Sequence, residues 1–223
     1  MAQCEIIVLS KYPTPGKVKT RLMPKLSAEQ ACEVHRICLL HLLPRLSAIG
    51  RTAVAFDPPD AGGRFAELIA GQGAARLFAQ SAGDLGARLI AAYEDSVGNG
   101  SSAVVFFGTD SPDVPHEAVC QIVSAISSGE YDVAIGPTED GGYWTIAIAA
   151  GVDVARLLAD IPWSSGREYA ATVASGRGMG LRIFEGARWP DVDRFEDLAE
   201  LVRRVGGSPL GKEMRNVANV FDG

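Results

Sequence analysis

The sequence predicts an α/β fold, a largely parallel sheet covered by helices on both faces. Short apolar runs rich in β-branched residues alternate along the chain with stretches whose apolar residues recur at helical spacing. The alternation runs through all 223 residues without a repeat, a low-complexity tract or a long linker, so one domain over 1–223 is expected.

The first apolar run, Ile6 to Leu9, reads as a buried strand. It leads into "KYPTPGKVKTRLMPKLS", where Lys11, Lys17, Lys19, Arg21 and Lys25 follow one another, the first of them beside Pro13, Pro15 and Gly16, with no acid between them. The next segment starts a helix at Ser27, an N-cap with Gln30 placed for a capping box. Ala31, Val34, Cys38, Leu42 and Leu46 repeat at helical spacing, and Pro44 is expected to bend or end the helix. "RTAVAFD" is a second strand, closed by Pro58 and Pro59, "GRFAELIAG" a short helix and "ARLFAQ" a third strand. "GDLGARLIAAYEDSV" is helical, and "SAVVFFGTDSPDVP" is a central strand running into a turn. "HEAVCQIVSAISSG" is a helix, and "YDVAIGPTEDGGYWTIAIAAG" holds two strands about a glycine turn. "SSGREYAATVASG" is helical, "GLRIFEG" a strand, and "RFEDLAELVRRVG" a last helix opened by "WPDVD".

Composition removes several classes of function. No run approaches the ~18 apolar residues of a membrane span, and the start of the chain, with Glu5 and no small-residue cleavage site, is unlike a signal peptide. A cytoplasmic protein without a membrane partner is expected. The net charge of −6 disfavours general nucleic-acid binding, which rests on many Lys and Arg contacts to phosphates. Cys4, Cys32, Cys38 and Cys120 form no C-x-x-C pair and read as reduced, mostly buried thiols. Cys32, His35 and Cys38 turn gradually around one helix with no second ligand cluster, a poor zinc pattern. A Walker P-loop, a Rossmann fingerprint and a G-x-S-x-G elbow are all missing from the places where they would act.

The basic loop is the first chemical signal. Cations gathered at a strand end in an acidic protein repel one another without a ligand, so the loop reads as an anion site rather than a solvated patch. Asp110 follows the central strand, where a carboxylate either holds Mg²⁺ or caps the turn through Pro112. Asp191 and Asp193, two apart, point the same way on an extended segment. Asp193 alternatively N-caps the last helix, with Glu196 completing a capping box. Asp140 precedes Gly141 and Gly142, which serve either a close approach to a ligand or a plain tight turn.

Taken in order, "KYPTPGKVKTRLMP", "GDLGARL", "GTDSPDVP", "GPTEDGGYW", "PWSS" and "DVDRFEDL" resemble the GT-A-type, nucleotide-diphospho-sugar transferase-like family, often labelled radical-SAM/selenodomain-associated "transferase 1". More distantly the chain is similar to 2-phospho-lactate guanylyltransferases and molybdenum-cofactor nucleotidyltransferases. The resemblance covers nearly the whole chain and implies a GT-A-like three-layer α/β/α sandwich with a mostly parallel central sheet. It implies that Lys11, Gly16, Lys17, Lys19 and Arg21 bind a nucleotide and that Asp110, Asp191 and Asp193 hold a divalent metal, Mg²⁺ or Mn²⁺. Gly141 and Gly142 would sit beside the substrate, with Lys19, Arg21, Asp110 and Asp140 as the catalytic groups. The glycine-rich opening loop of sugar nucleotidyltransferases is replaced here by "VLSKYPTPGKVKTRL", and Arg194–Phe195 stands where relatives commonly have Thr-Pro.

The expected function is metal-dependent nucleotidyl transfer from an NTP to a small molecule bearing phosphate or carboxylate. Glycosyl transfer from an NDP-sugar and a non-catalytic nucleotide-binding module are the alternatives. Cations beside a triphosphate stabilise departing pyrophosphate, each charged hydrogen bond contributing about 1.5–3 kcal/mol.

Overall fold

Seven strands form one sheet in the order β3-β2-β1-β4-β6-β5-β7 in a computed structural model that describes residues 4–218. The strands are β1 (Cys4–Lys11), β2 (Arg51–Asp57), β3 (Arg76–Ala79), β4 (Ala103–Phe107), β5 (Val133–Pro137), β6 (Tyr143–Ala149) and β7 (Ile183–Glu185). All neighbours run parallel except β6, which is antiparallel to both β4 and β5. The reversal follows from the tight turn after Pro137: two strands joined by a hairpin are necessarily antiparallel, whereas parallel neighbours need a crossover.

The strand period of two divides the core. Ile6 and Val8 of β1 point to one face with Val54, Val105 and Phe107; Ile7 points to the other with Ala53, Val104 and Phe106. The first face is covered by α1 (Ala28–Ser47), α2 (Gly62–Leu68) and α4 (His116–Ser127). The second is covered by α3 (Leu85–Gly98), α5 (Val154–Leu158) and α6 (Glu168–Gly178). The architecture is therefore a GT-A-like three-layer α/β/α sandwich. A third apolar cluster sits outside it, where α7 (Phe195–Val205) and α8 (Pro209–Ala218) pack against the back of α1.

The predicted capping box at Ser27 and Gln30 is present. Pro44 does not end α1, which continues to Ser47: in the last turn, the lost amide costs one hydrogen bond and leaves few to break. The last helix starts differently from expectation. Neither Asp193 nor Glu196 caps it; the Asp197 carboxylate accepts from the backbone amides of Asp193 (3.1 Å) and Arg194 (2.6 Å). Two helices, α5 and α8, are not legible as separate elements: α5 has only five residues, and α8 follows α7 after a three-residue turn.

The β5–β6 pair is held by unusually close packing. A Cβ on Gly136 would lie 2.2 Å from the Trp144 ring. That ring is 4% exposed and its indole N–H donates to Ala187 carbonyl oxygen at 3.0 Å. Gly136→Ala is accordingly expected to lower stability by about 3 kcal/mol, a fall of roughly 6–12 °C in melting temperature. Gly63→Ala, with open space around its Cβ position, should be neutral or raise stability by about 0.5–1 kcal/mol. Calorimetry on the two variants checks both values.

Candidate active site

The basic loop leaves the C-terminal end of β1 and is pinned from beneath by its apolar residues. Val18, Leu22 and Leu26 are buried, the last two in the cluster with α1 and α7, so the intervening Lys17, Arg21 and Lys25 are turned outward. Gly16, at φ +76°, makes the bend that lets the Lys17 amide donate to Thr14 carbonyl oxygen at 3.0 Å. Beneath the strand end, the ring of buried His35 holds the Lys11 carbonyl at 2.9 Å and lies 3.2 Å from the Ser10 hydroxyl. Burial keeps the His35 imidazole below its ordinary pKa.

Lys19 is the exception among the loop cations. Its backbone adopts a left-handed conformation (φ 48°, ψ 38°), rare outside glycine and sterically costly. Its side chain is 5% exposed, and its ammonium donates to the Asp110 carboxylate at 2.6 Å and to the Val192 carbonyl. Desolvation opposes both charges, but the pair's mutual attraction wins: the Lys19 ammonium is held above its usual pKa and the Asp110 carboxyl below its own. Arg21 in turn pairs with Asp193. The acids missing from the loop thus arrive from distant segments, while Lys11, Lys17 and Lys25 have no ion-pair partner among the described residues.

Asp110 stands just beyond β4. Its backbone carbonyl accepts from the Val192 amide at 2.8 Å, which draws the late acidic segment across the strand ends. Val192 is buried, so Asp191 and Asp193 face outward as the two-residue spacing requires. They then diverge in role: Asp193 meets Arg21, whereas Asp191 turns toward Asp110 and Asp140. Burial, then the charges of Asp140 and Asp110, push the Asp191 carboxyl up to about 6.

Two cavities meet at Asp110. One, of about 380 Å³, is lined by Lys11, Lys17, Lys19 and Arg21, with the floor formed by Leu9, Ser10, His35 and Thr109. The other, of about 280 Å³, is lined by Asp110, Asp140, Asp191 and Glu168 with Gly142, Tyr143 and Trp163. Leu85, Gly108 and Asp110 border both. Gly16 and Lys25 border neither, and Gly141 is set back from the cavity.

Asp140 shapes the β5–β6 turn: its Oδ1 accepts from the Thr138 hydroxyl at 2.5 Å and the Gly142 amide at 3.0 Å. Gly141 serves a loop-to-loop contact, since a Cβ there would lie 1.9 Å from the Gly166 carbonyl oxygen. The backbone at Gly141 and Gly166 locks the turn to the "PWSS" loop, and the Tyr169 amide donates to the Gly141 carbonyl at 3.0 Å. Gly86 does the same for α3, whose Cβ position at that residue lies 2.8 Å from the Trp163 indole nitrogen. The sequence motifs around Gly86 and Trp163 were visible, but their partnership and the role of Glu168 were not.

Among the described residues no three His, Cys, Asp or Glu side chains surround a common point as a preformed metal cage. The donor chemistry nevertheless fits one divalent cation at Asp110 and Asp191. These carboxylates are close enough for Asp110 to disfavour ionisation of Asp191, a repulsion that a cation relieves. Mg²⁺ typically takes one or two carboxylates and completes its shell with phosphate oxygens and water. Asp193 lies outside the cavity that Asp110 and Asp191 share and faces the basic one.

The loop cations separate into structural and free groups, and stability measurements distinguish them. Lys19→Met should cost about 2 kcal/mol in urea unfolding, because the Val192 carbonyl and Asp110 lose their donor. Lys17→Ala, at an exposed position, should stay within about 0.5 kcal/mol of the parent.

Several proteins of known structure share the fold. A candidate nucleotide-diphospho-sugar transferase from Desulfovibrio desulfuricans G20 superposes with a TM-score of 0.89 at 29% identity, covering 98% of each chain. A cytidylyltransferase from Leptospira borgpetersenii matches at a TM-score of 0.61 and 14% identity, over 99% of this chain and 94% of that one. The Mycobacterium tuberculosis protein Rv0371c, in complex with manganese, matches at 0.53 and 18% identity over 89% and 97%. The last two likenesses concern the fold. No curated protein sequence matches the chain. The sequence model of one family matches residues 45–165, a stretch that contains Asp110, Asp140 and Trp163. The chain belongs to that family, described as uncharacterized protein conserved in bacteria (DUF2064).

Proposed function

We propose that this protein is a transferase that moves a nucleotidyl group from a nucleoside triphosphate to a small acceptor bearing phosphate or carboxylate. The observation that carries the reading is the junction of a basic and an acidic cavity at one carboxylate, Asp110. The transferase class is supported by the likeness to the Desulfovibrio desulfuricans protein over nearly the full length of both chains.

In this reading Lys11 and Lys17 grip the β- and γ-phosphates in the basic cavity, with Arg21, held by Asp193, at its edge. Lys19, fixed by Asp110 and the Val192 carbonyl, lies where the α-phosphate approaches the junction. An acceptor oxygen forms a bond to the α-phosphorus, the α–β bridging bond breaks, and pyrophosphate leaves toward the loop cations. Cations held in place before the reaction stabilise the charge that accumulates on the leaving group without further reorganisation. A divalent metal at Asp110 and Asp191, when bound, would polarise the phosphorus under attack. Asp140 is placed to orient the acceptor from the other side.

Glycosyl transfer from an NDP-sugar is the second reading, favoured by the likeness to the Desulfovibrio desulfuricans protein, a candidate nucleotide-diphospho-sugar transferase.

Thermal shift with each NTP and with NDP-sugars, with and without Mg²⁺, tests the choice. The expected result is a Mg²⁺-dependent rise with one NTP, about 2.7 kcal/mol at one hundred times the dissociation constant. Lys17→Ala should weaken that NTP by about tenfold or more, the worth of one charged hydrogen bond. Asp110→Asn should lower turnover by about 100-fold or more and abolish the response to Mg²⁺. A rise with NDP-sugars alone would replace nucleotidyl by glycosyl transfer, and no rise with any of them would overturn the nucleotide site.

A further inference from the structure

The acidic cavity has a chemistry that narrows the acceptor, and the argument rests on the reading of the basic cavity as the nucleotide site. Its charged lining is entirely acidic: among the described residues no Lys, Arg or His borders it. Lys19 meets the charge of Asp110, and a divalent cation held by Asp110 and Asp191 would meet that of Asp191, which leaves Asp140 and Glu168. Glu168 is the more informative of them. It is 7% exposed and lends Oε1 to the Ser165 amide at 2.6 Å, yet has no ion-pair partner among the described residues. A carboxylate removed from water in this way is costly unless donors reach its remaining lone pairs.

Aromatic rings line the same cavity as the acids. Tyr143 and Trp163 meet edge to face, ring centroids 6.4 Å apart, and Trp163 is locked against Gly86 of α3. Ser164, also on the rim, is held in a left-handed conformation at φ 61°. Aromatic faces next to carboxylates receive a body that carries hydroxyl or ammonium donors and offers C–H or positive charge to the rings. The same wall repels a second anion.

We propose that this cavity is the acceptor subsite and that the part of the acceptor seated in it is hydroxyl- or amine-bearing and carries no anionic group. Any phosphate or carboxylate that attacks the donor then lies at the mouth of the cavity, beside Asp110, and the deep end is reserved for hydrogen-bond donors. Glu168 is the specificity-determining group, and Trp163 the platform.

Three sugars with one ring and three charges test this: glucose, glucosamine and glucuronate. The indole N–H resonance of Trp163, assigned with Trp163→Phe, is followed during titration of the ¹⁵N-labelled protein. Glucose and glucosamine should shift it, glucosamine binding about three- to fivefold more tightly, the worth of one partly exposed ion pair. Glucuronate should leave it in place. Glu168→Gln should remove the preference for glucosamine over glucose while retaining the response to both. If that variant disturbs the rest of the spectrum, Asp140→Asn provides the same comparison. A response to glucuronate equal to that of glucosamine, or none to any of the three, overturns the proposal. NTP thermal shifts on the same samples separate the two readings. Intact nucleotide binding with the wrong sugar preference sinks the acceptor class alone. The right preference without nucleotide binding sinks the nucleotide site and leaves the subsite standing.

Discussion

One ammonium group holds the cleft together. Lys19 Nζ bridges the Asp110 carboxylate and the Val192 carbonyl, groups 91 and 173 residues away in the chain. It thereby joins the loop after β1, the end of β4 and the segment before α7. The Val192 amide returns a hydrogen bond to the Asp110 carbonyl, so the late segment is fixed by two contacts to the same residue pair. Burying a lysine is unfavourable unless its charge is met, and here a carboxylate and a carbonyl meet it. The left-handed backbone at Lys19 is the cost of aiming the side chain inward from a loop whose other cations face out.

That arrangement sorts charge in space. The chain is acidic overall, yet its strand ends carry a positive basin and a negative one separated by the Leu85, Gly108 and Asp110 border. Salt weakens the buried Lys19–Asp110 pair little and screens the exposed Lys11, Lys17 and Arg21 more, and both basins choose ligands by sign before they choose by shape. The pairing of Arg21 with Asp193 extends the same logic, bringing the outer edge of the loop to the late acidic segment.

The rigidity of the acidic side comes from missing Cβ atoms. Gly141 against Gly166, Gly86 against Trp163 and Gly136 against Trp144 are three places where backbone or ring approaches closer than any side chain permits. They clamp the β5–β6 turn, α3 and the loop before α6 around one cavity. Gly141, which has the positive φ of a turn residue, is therefore a packing residue as well.

By itself the sequence determined the layered α/β fold, because strand and helix periods are local and each apolar run carries its own signal. It also singled out the basic loop, Asp110 and the Asp191–Asp193 pair as site candidates, which the fold gathers at the strand ends, because charge and turn residues there are visible without coordinates. The capping of α7 by Asp197 and the continuation of α1 through Pro44 were decided by local geometry that several residue choices satisfy equally. Only the tertiary structure decided which cations stay free. The partners of Lys19 and Arg21 are remote in sequence, and no local pattern records that Asp110 and Asp193 neutralise them. The same holds for Glu168 and Trp163, which line one cavity only when the glycine contacts bring their loop to the end of the sheet. Long-range electrostatics and close packing depend on positions in space, and those exist only once the chain has folded.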